Sequence, residues 1–296
     1  MPSAKPRLLV IGSRGFLGSY AAQAAKPDFE VIEASRSRAG QSGIVIDIRD
    51  QESVRSVFQT ARPDFVLLLS AISDIDRCEQ YPDEARAVNL HGAELVSEAC
   101  ARSNTRLLFT STGAVFDGRK HGYTEQDPVS PVSVYGETKA RAEKIVSALG
   151  PSAIIVRIAL AIGFAAHPDT NSLLDNLKKR WASGQTVALP IHEQRNPIDA
   201  FTATRFMLEL LNKNHASGIF HLGCMDVITR YDLGLKLADR MGYTGLVKAQ
   251  TELVPGRAPR GPDHYLLTDK LRAESAISIP SCEEVIERCF DVTAQS

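Results

Sequence analysis

Apolar runs of strand length alternate with helix-length stretches over the first 160 residues of this 296-residue chain. Strands that are apolar along their whole length are typical of a parallel sheet buried between two layers of helices. The pattern therefore predicts an α/β fold built on a doubly wound parallel sheet. The predicted strands are Leu8 to Ile11, Val31 to Ala34, Ile44 to Ile46, Phe65 to Leu69, Leu107 to Phe109 and Ile154 to Ile158.

After about Leu160 this alternation loosens, which indicates a second, smaller and discontinuous lobe. Gly218 to Leu222 nevertheless reads as another buried strand, so we expect residues from about 198 to 225 to return to the main sheet. Thr229 has a hydroxyl suited to capping a helix. The helices predicted in this half are Leu173 to Trp181, Asp199 to Leu211, one that Thr229 caps and that runs to Met241, and Glu283 to Phe290.

The composition is that of a soluble globular protein, with 44% hydrophobic and 23% charged residues. Lys and Arg number 34 against 35 Asp and Glu, so no basic excess suggests nucleic acid or an anionic membrane as a partner. We find no apolar run of membrane-spanning length and no export signal. The five cysteines include no Cys-x-x-Cys pair and the seven histidines no metal-ligand spacing, so we expect reduced thiols, a cytoplasmic protein and no metal.

Three glycines spaced three apart follow the first predicted strand, in Gly12-Ser13-Arg14-Gly15-Phe16-Leu17-Gly18. The first permits a tight turn, the second lets backbone amides approach a pyrophosphate at a helix N-terminus, and the third lets helix and strand pack closely. This loop predicts a dinucleotide-binding Rossmann domain over residues 1–160, with residues 161–296 mainly forming the substrate-binding lobe. Its predicted cofactor-binding residues are Gly12, Arg14, Gly15, Phe16, Leu17 and Gly18.

The end of the second predicted strand favours NADP(H) over NAD(H). An acidic residue there would bind the adenosine ribose of NAD and repel a 2′-phosphate, but this chain has Ser35 and Arg36. A guanidinium can bind a phosphate bidentately, and Arg14 offers a second cation. Glu33 would change this preference if it, rather than Ser35, lay at the ribose.

Tyr135 and Lys139 lie four residues apart in a predicted helix, for which Ser130 is the expected cap and Pro131 the expected first residue. A nearby ammonium favours phenolate, so we expect Lys139 to lower the pKa of Tyr135 from its usual value near 10. Thr112, at the end of the preceding strand, would hold the same substrate oxygen. None of the other six tyrosines has a lysine four residues on. Thr112, Tyr135 and Lys139 are the predicted catalytic residues.

These residues resemble the extended short-chain dehydrogenase/reductase superfamily and, within it, the dTDP-4-dehydrorhamnose reductase family. Ser111-Thr112-Gly113-Ala114-Val115-Phe116-Asp117-Gly118 is similar to that family's Ser-Thr-Asp-x-Val-Phe-Asp-Gly signature, with Gly113 in place of Asp. The resemblance runs from Leu8 to about Arg272.

The resemblance implies further contacts with the cofactor. Asp47-Ile48 is similar to the family's adenine-contacting pair, and Ser70-Ala71 follows the fourth strand where the family's cofactor crosses the sheet. Tyr135 and Lys139 would also touch the nicotinamide half. Asn89 is expected to support the tyrosine structurally.

The resemblance also implies substrate contacts from Arg77, Gly113, Arg195 and Arg260. Arg77 stands where the family has a lysine near the site, and Arg195 could hold the diphosphate of a nucleotide. Arg257 and Arg260 lie in a Pro- and Gly-rich loop and are further candidates for binding an anionic group of the substrate. His264 stands near the family's Asn-Ser, which is a departure from the pattern.

The activity implied is an NADP(H)-dependent reduction of a keto group on a nucleotide-linked deoxysugar. We expect a small-molecule partner and allow for a homodimer. A 4-epimerase, which needs only the same triad and a retained cofactor, stays open, while Gly113-Ala114 disfavours a 4,6-dehydratase. From a different class, the methionine adenosyltransferase regulatory subunit has a Gln-Arg-x-Pro segment similar to Gln194-Arg195-Asn196-Pro197, so a non-catalytic NADP-binding role also stays open.

Overall fold

The computed structural model describes residues 5–37, 43–167, 170–252 and 254–291. Its centre is a seven-stranded sheet in the order β3-β2-β1-β4-β5-β6-β11, and every neighbouring pair is parallel. The doubly wound fold is therefore confirmed, and Gly218–Leu222 joins the sheet as its seventh strand. The strands are β1 (Arg7–Ile11), β2 (Glu30–Ser35), β3 (Ile44–Val45), β4 (Phe65–Leu68), β5 (Arg106–Thr112), β6 (Ala153–Ile158) and β11 (Gly218–Leu222).

Successive residues of each strand enter different cores because side chains alternate across a sheet. Leu8 and Val10 pack into one cluster, whereas Leu9 and Ile11 pack into the other. Helices cover both faces, so the strands are apolar throughout, as the sequence indicated. The helices of the first half are α1 (Phe16–Ala24), α2 (Gln51–Ala61), α3 (Ile75–Gln80), α4 (Pro82–Ala85), α5 (Gly92–Ser103) and α6 (Val134–Ser147).

The second half adds three small sheets: β7 with β10, β8 with β13, and β9 between β12 and β14. Helix α8 lies beside α1 against the main sheet, so α8 and β11 both pack with the first half of the chain. The helices predicted in this half are confirmed, including the Thr229 cap. The strands are β7 (Leu160–Ile162), β8 (Val187–Pro190), β9 (Gln194–Arg195), β10 (Pro197–Asp199), β12 (Ile228–Thr229), β13 (Val247–Gln250) and β14 (Asp263–His264); the helices are α7 (Leu173–Ala182), α8 (Ala200–Asn212), α9 (Arg230–Arg240), α10 (Asp269–Glu274) and α11 (Cys282–Phe290).

The predicted start of α6 is wrong by three residues. The helix begins at Val134, and the Oγ of Ser133 caps it by accepting from the Gly136 N–H at 3.2 Å. Ser130 instead donates its N–H to the Val115 carbonyl at 2.8 Å, which keeps Ser130 and Pro131 in the preceding loop. A tertiary contact therefore overrides the local Ser-Pro start signal.

No helix in the described part of the chain is long and apolar enough to cross a membrane.

Candidate active site

The glycine loop forms a close turn between β1 and α1. Gly12 has a φ of +95°, and a Cβ placed on it would lie 2.8 Å from the backbone nitrogen of Ser70. A Cβ on Gly18 would lie 2.0 Å from the Gly12 carbonyl oxygen. Both glycines are therefore required where the loop passes over β4 and where helix and strand meet.

Helix α1 begins next to this turn without a side-chain cap. Its N-cap is Gly15, no side chain accepts a hydrogen bond there, and the first turn contains no acidic residue. The first amides of a helix have no partner within the helix and carry the positive end of its dipole. This arrangement fits a pyrophosphate, so the residues present suit a dinucleotide.

The other loop residues support the turn. Phe16 packs near Gly163, whose added Cβ would lie 3.3 Å from the ring, and contacts Tyr20 edge-on at 6.0 Å between centroids. Leu17 packs against the core on the α8 side of the sheet, and Arg14 is half-buried within the turn.

Arg36 and Asp47 lie close together at the edge of the sheet. Ser35 ends β2 and is buried, whereas Arg36 follows it and is exposed. Asp47 accepts hydrogen bonds from both the backbone N–H and the guanidinium of Arg49, and this pairing, aided by the charge of Arg36, lowers the pKa of Asp47 to about 2. Asp47 is thus ionised and already paired with Arg49, and it lies close to Arg36.

Glu33 and Ile48 lie apart from that edge. Glu33 pairs with Val10 two residues before the end of β2 and lines a surface groove with Arg7 and Thr60. Ile48 is buried, and its side chain contacts the position that a Cβ on Gly92 would take.

The segment after β4 is held beneath the turn. Ser70 donates its N–H to the Ile11 carbonyl at 3.1 Å, and Ala71 follows it, half-buried. Asn89 then fixes Ile72 by accepting from its N–H at 2.8 Å and donating to its carbonyl at 3.0 Å. Asn89 also donates to the Thr138 hydroxyl at 3.3 Å, so it links this segment to the helix that carries Tyr135.

Thr112, Tyr135 and Lys139 come together where β5 meets α6. Thr112 ends β5; its Oγ1 accepts from the Ala114 N–H at 3.1 Å and lies close enough to Tyr135 to act on that phenol. Lys139 lies one turn further along α6, is 2% exposed, and places its Nζ 3.8 Å from the centre of the Phe109 ring. The predicted triad is thus assembled around one corner of the sheet.

The pKa of Tyr135 is raised above its usual value near 10, whereas we expected Lys139 to lower it. Burial raises the pKa of Tyr135 to about 12, although the nearby Thr112 hydroxyl opposes this rise. Burial also lowers the pKa of Lys139 to about 7, although the charge of Glu143 opposes this fall. The expectation that Lys139 lowers the pKa of Tyr135 is therefore wrong for the chain alone, because burial is the largest influence on the phenol and raises its pKa.

The arginines predicted to bind substrate are already paired. Arg77 donates to Glu84 at 2.9 Å on the surface. Arg260 binds both carboxylate oxygens of Asp76, at 3.0 and 2.7 Å, and so ties its loop to α3.

Arg195 is buried, and its guanidinium forms hydrogen bonds with backbone carbonyls. It donates to the carbonyls of Gln194, Pro262 and Gly261 at 2.6, 3.1 and 3.1 Å. These bonds hold the loop after Arg260 in place, so Arg195 supports the site from behind.

Gly113 lies against His264. A Cβ on Gly113 would stand 3.0 Å from the Cβ of His264. His264 is buried, and burial lowers its pKa to about 3, so the imidazole is neutral. Its Nε2 has no hydrogen-bond partner within the described part of the chain.

Sequence reasoning missed Arg230, the first residue of α9. It is half-buried, burial lowers its pKa, and it lies close enough to Glu193, Arg257 and Arg260 to feel their charges. The only local signal is the Thr229 cap, which concerns the helix and not the guanidinium.

A family model described as the RmlD substrate binding domain matches residues 6–295. The chain belongs to this family. The resemblance drawn from the Ser-Thr signature and the Tyr-Lys pair is thereby confirmed.

Three curated relatives span most of this chain. A probable low-salt glycan biosynthesis reductase of Haloferax volcanii is 29% identical over 79% of both chains. A dTDP-4-dehydrorhamnose reductase of Aggregatibacter actinomycetemcomitans is 28% identical over 79% of this chain and 78% of its own. Methionine adenosyltransferase 2 subunit beta of Danio rerio is 26% identical over 79% of this chain and 73% of its own.

Among solved structures, dTDP-4-dehydrorhamnose reductase from Bacillus anthracis in complex with NADP has a TM-score of 0.86 and 21% identity, over 98% of this chain and 99% of its own. At this identity the likeness shows a common fold.

Proposed function

We propose that this protein is an NADP(H)-dependent reductase of a keto group on a nucleotide-linked deoxysugar. The observation that carries the proposal is the closeness of the Thr112 hydroxyl to Tyr135, with Lys139 one turn away, at the carboxyl ends of the strands, where the glycine turn also lies. Family membership and the reductases among the relatives support the same reaction class.

Bound NADPH would supply the hydride that reduces the carbonyl carbon. Thr112 would hold the carbonyl oxygen, and Tyr135 would give it a proton as negative charge develops. The raised pKa of Tyr135 suits this direction, because the phenol stays protonated at neutral pH until an alkoxide forms. Lys139 would bind the nicotinamide ribose and stabilise the phenolate that is left.

The preference for the phosphorylated cofactor rests on Arg36. Its guanidinium is exposed at the end of β2, where a ribose 2′-phosphate of a dinucleotide on the glycine turn would lie. Asp47, close by, is neutralised by Arg49 and so would repel such a phosphate less.

The arginine cluster supports an anionic substrate. In the described part of the chain Arg195, Arg230, Arg257 and Arg260 lie near three carboxylates, those of Glu193, Asp76 and Asp263, so positive charge is in excess. Among the described residues neither Arg195 nor Arg230 hydrogen-bonds a carboxylate: Arg195 donates to backbone carbonyls, and Glu193 acts on Arg230 through its charge. A nucleoside diphosphate would satisfy this excess, which favours a nucleotide-linked sugar.

The test is NADPH oxidation against dTDP-4-keto-6-deoxyhexoses. We expect turnover by the wild type, a loss of at least about a hundredfold in Tyr135→Phe, and near wild-type rates in the control Tyr81→Phe, because Tyr81 is an exposed tyrosine. Full activity in Tyr135→Phe would rule out the assigned proton donor.

A binding role is the second candidate, favoured by the likeness to methionine adenosyltransferase 2 subunit beta. It predicts NADP binding, a stoichiometric protein partner and no oxidation of NADPH across a panel of keto sugars. A 4-epimerase would instead carry tightly bound NAD(H) on purification.

We further infer a cytoplasmic protein, because all five cysteines are buried free thiols. A homodimer stays a prediction.

A further inference from the structure

A buried ion pair lies one helical turn beyond Lys139. Arg157 on β6 donates Nε and Nη2 to the two carboxylate oxygens of Glu143 on α6, at 2.9 and 2.7 Å. The two side chains are 2% and 5% exposed. A buried pair with this bidentate geometry survives only when its remaining groups are also satisfied.

The remaining groups are satisfied. The Ser111 hydroxyl donates to Glu143 at 2.5 Å, and Arg157 Nη1 donates to His221 Nε2 at 3.3 Å. His221 can accept because its Nδ1 faces the Tyr123 carbonyl at 3.1 Å and because burial holds its pKa at about 3. Arg157 also stacks on Phe116, with 4.9 Å from its Cζ to the ring centre.

Tyr135, Lys139 and Glu143 lie at intervals of four on one face of α6. Lys139 is buried, contacts the face of Phe109, and forms no ion pair with any carboxylate in the described residues. Because Arg157 and Ser111 occupy both oxygens of Glu143, the carboxylate cannot swing up to capture the lysine. Its charge still acts on Lys139 through a medium of low polarity.

We propose that Glu143 is a positioning residue that favours the protonated form of Lys139 without binding it, and that Arg157 and Ser111 hold Glu143 in that place. The idea rests on the proposed function for its purpose, since a protonated but unpaired Lys139 is what a ribose and a developing phenolate need. The charge relationship itself stands on the contacts within this chain.

The neighbouring titratable groups do not offer another source of charge. Cys78 on α3 stays a neutral thiol because burial raises its pKa to about 11, and His221 on β11 stays neutral. Tyr135 stays protonated. Arg157 on β6 is the remaining charge, and a cation there would lower and not raise the pKa of Lys139, so it cannot be the source of the effect assigned to Glu143.

The test uses unfolding free energy, so it needs neither cofactor nor substrate. Lys139 has a pKa of about 7 in the folded chain against about 10.5 unfolded. The folded state therefore binds fewer protons between these values, and wild type gains stability over Lys139→Met as pH rises from about 7. The pH at which this gain begins reports the folded pKa of Lys139.

We expect Glu143→Gln to move that onset down by about one pH unit. Glu143→Asp, which keeps the charge, should leave it close to wild type. The matched control is Glu137→Gln, because Glu137 lies on the same helix but pairs with Arg141 at the surface. An unchanged onset in Glu143→Gln would overturn the proposal.

If Glu143→Gln does not fold, the pair is replaced as a whole by Glu143→Met with Arg157→Met, a change that buried ion pairs often tolerate. The onset should again fall, because the carboxylate that acts on Lys139 is gone; an onset that stays in place contradicts the idea. The upper limb of the pH–rate profile should move in the same direction. Absence of any turnover would sink the proposed function while the unfolding result still decides the role of Glu143.

Discussion

Gly113 and His264 are in direct contact although 150 residues separate them along the chain, and a methyl group on Gly113 would come within 3.0 Å of the His264 Cβ. Both are positions at which the sequence departs from the family pattern, which has Asp at the first and Asn-Ser near the second. The two departures thus lie side by side, and a buried neutral imidazole faces a residue without a side chain.

The first prediction concerns this contact. Gly113→Ala should lower the free energy of unfolding by about 1–3 kcal/mol, because the added methyl overpacks against His264. In a His264→Gly background the same change should cost clearly less, since the His264 Cβ that the methyl meets is then gone. Urea unfolding of the four proteins gives the coupling energy. Strict additivity would mean that the strain arises elsewhere.

A second prediction tests the cofactor preference. Arg36→Ala should weaken NADPH binding about tenfold to a hundredfold and leave NADH binding unchanged, because only the 2′-phosphate loses a charge-assisted hydrogen bond. Titration of nucleotide fluorescence measures both affinities. Arg55→Ala is the control, since Arg55 is an exposed arginine paired with Glu52 at 2.5 Å. An equal loss for both nucleotides would show that Arg36 does not read the phosphate.

The strands, the glycine turn and the Tyr-Lys spacing could be predicted because they are local and periodic. Leu8 to Ile11 and Ile154 to Ile158 are apolar throughout, and only a sheet covered on both faces buries such runs. Gly12 and Gly18 are required by contacts within a few residues and one neighbouring strand.

The rest depends on partners distant in the sequence. From the sequence, Arg260 and Arg195 are predicted to be available to bind an anionic substrate. In the structure Arg260 pairs with Asp76 and Arg195 donates to the Gly261 carbonyl. Arg230 gave no signal, because a first helical residue can face any direction. The depth at which Tyr135 and Lys139 lie, which decides their pKa values, likewise follows from packing that spacing does not encode.

A third prediction concerns the turn itself. Gly18→Ala should destabilise the fold by about 1–3 kcal/mol and weaken NADPH binding about tenfold or more, because the new Cβ would meet the Gly12 carbonyl oxygen at 2.0 Å and Ser13 Cα at 2.9 Å. Backbone atoms cannot move aside as a side chain can, so the amides of the turn must shift. Ser19→Ala, on the same helix, removes only a 3.0 Å bond to the Phe16 carbonyl and should bind nearly as wild type.

The fourth prediction concerns the cap of α6, two residues before Tyr135. Ser133→Ala should cost about 1 kcal/mol of unfolding free energy, because the Gly136 N–H loses its acceptor, and Ser133→Thr should restore most of it. Ser130→Ala is the control at the start site that the sequence suggested, where the residue contributes its backbone N–H to the Val115 carbonyl and so retains that bond. Thermal unfolding compares the three variants with wild type.

Because the first turn of α6 places the tyrosine beside Thr112, Ser133→Ala should also lower kcat for keto-sugar reduction more than it raises KM. A larger loss of stability in Ser130→Ala than in Ser133→Ala would indicate that α6 begins at Ser130-Pro131 and not at Val134.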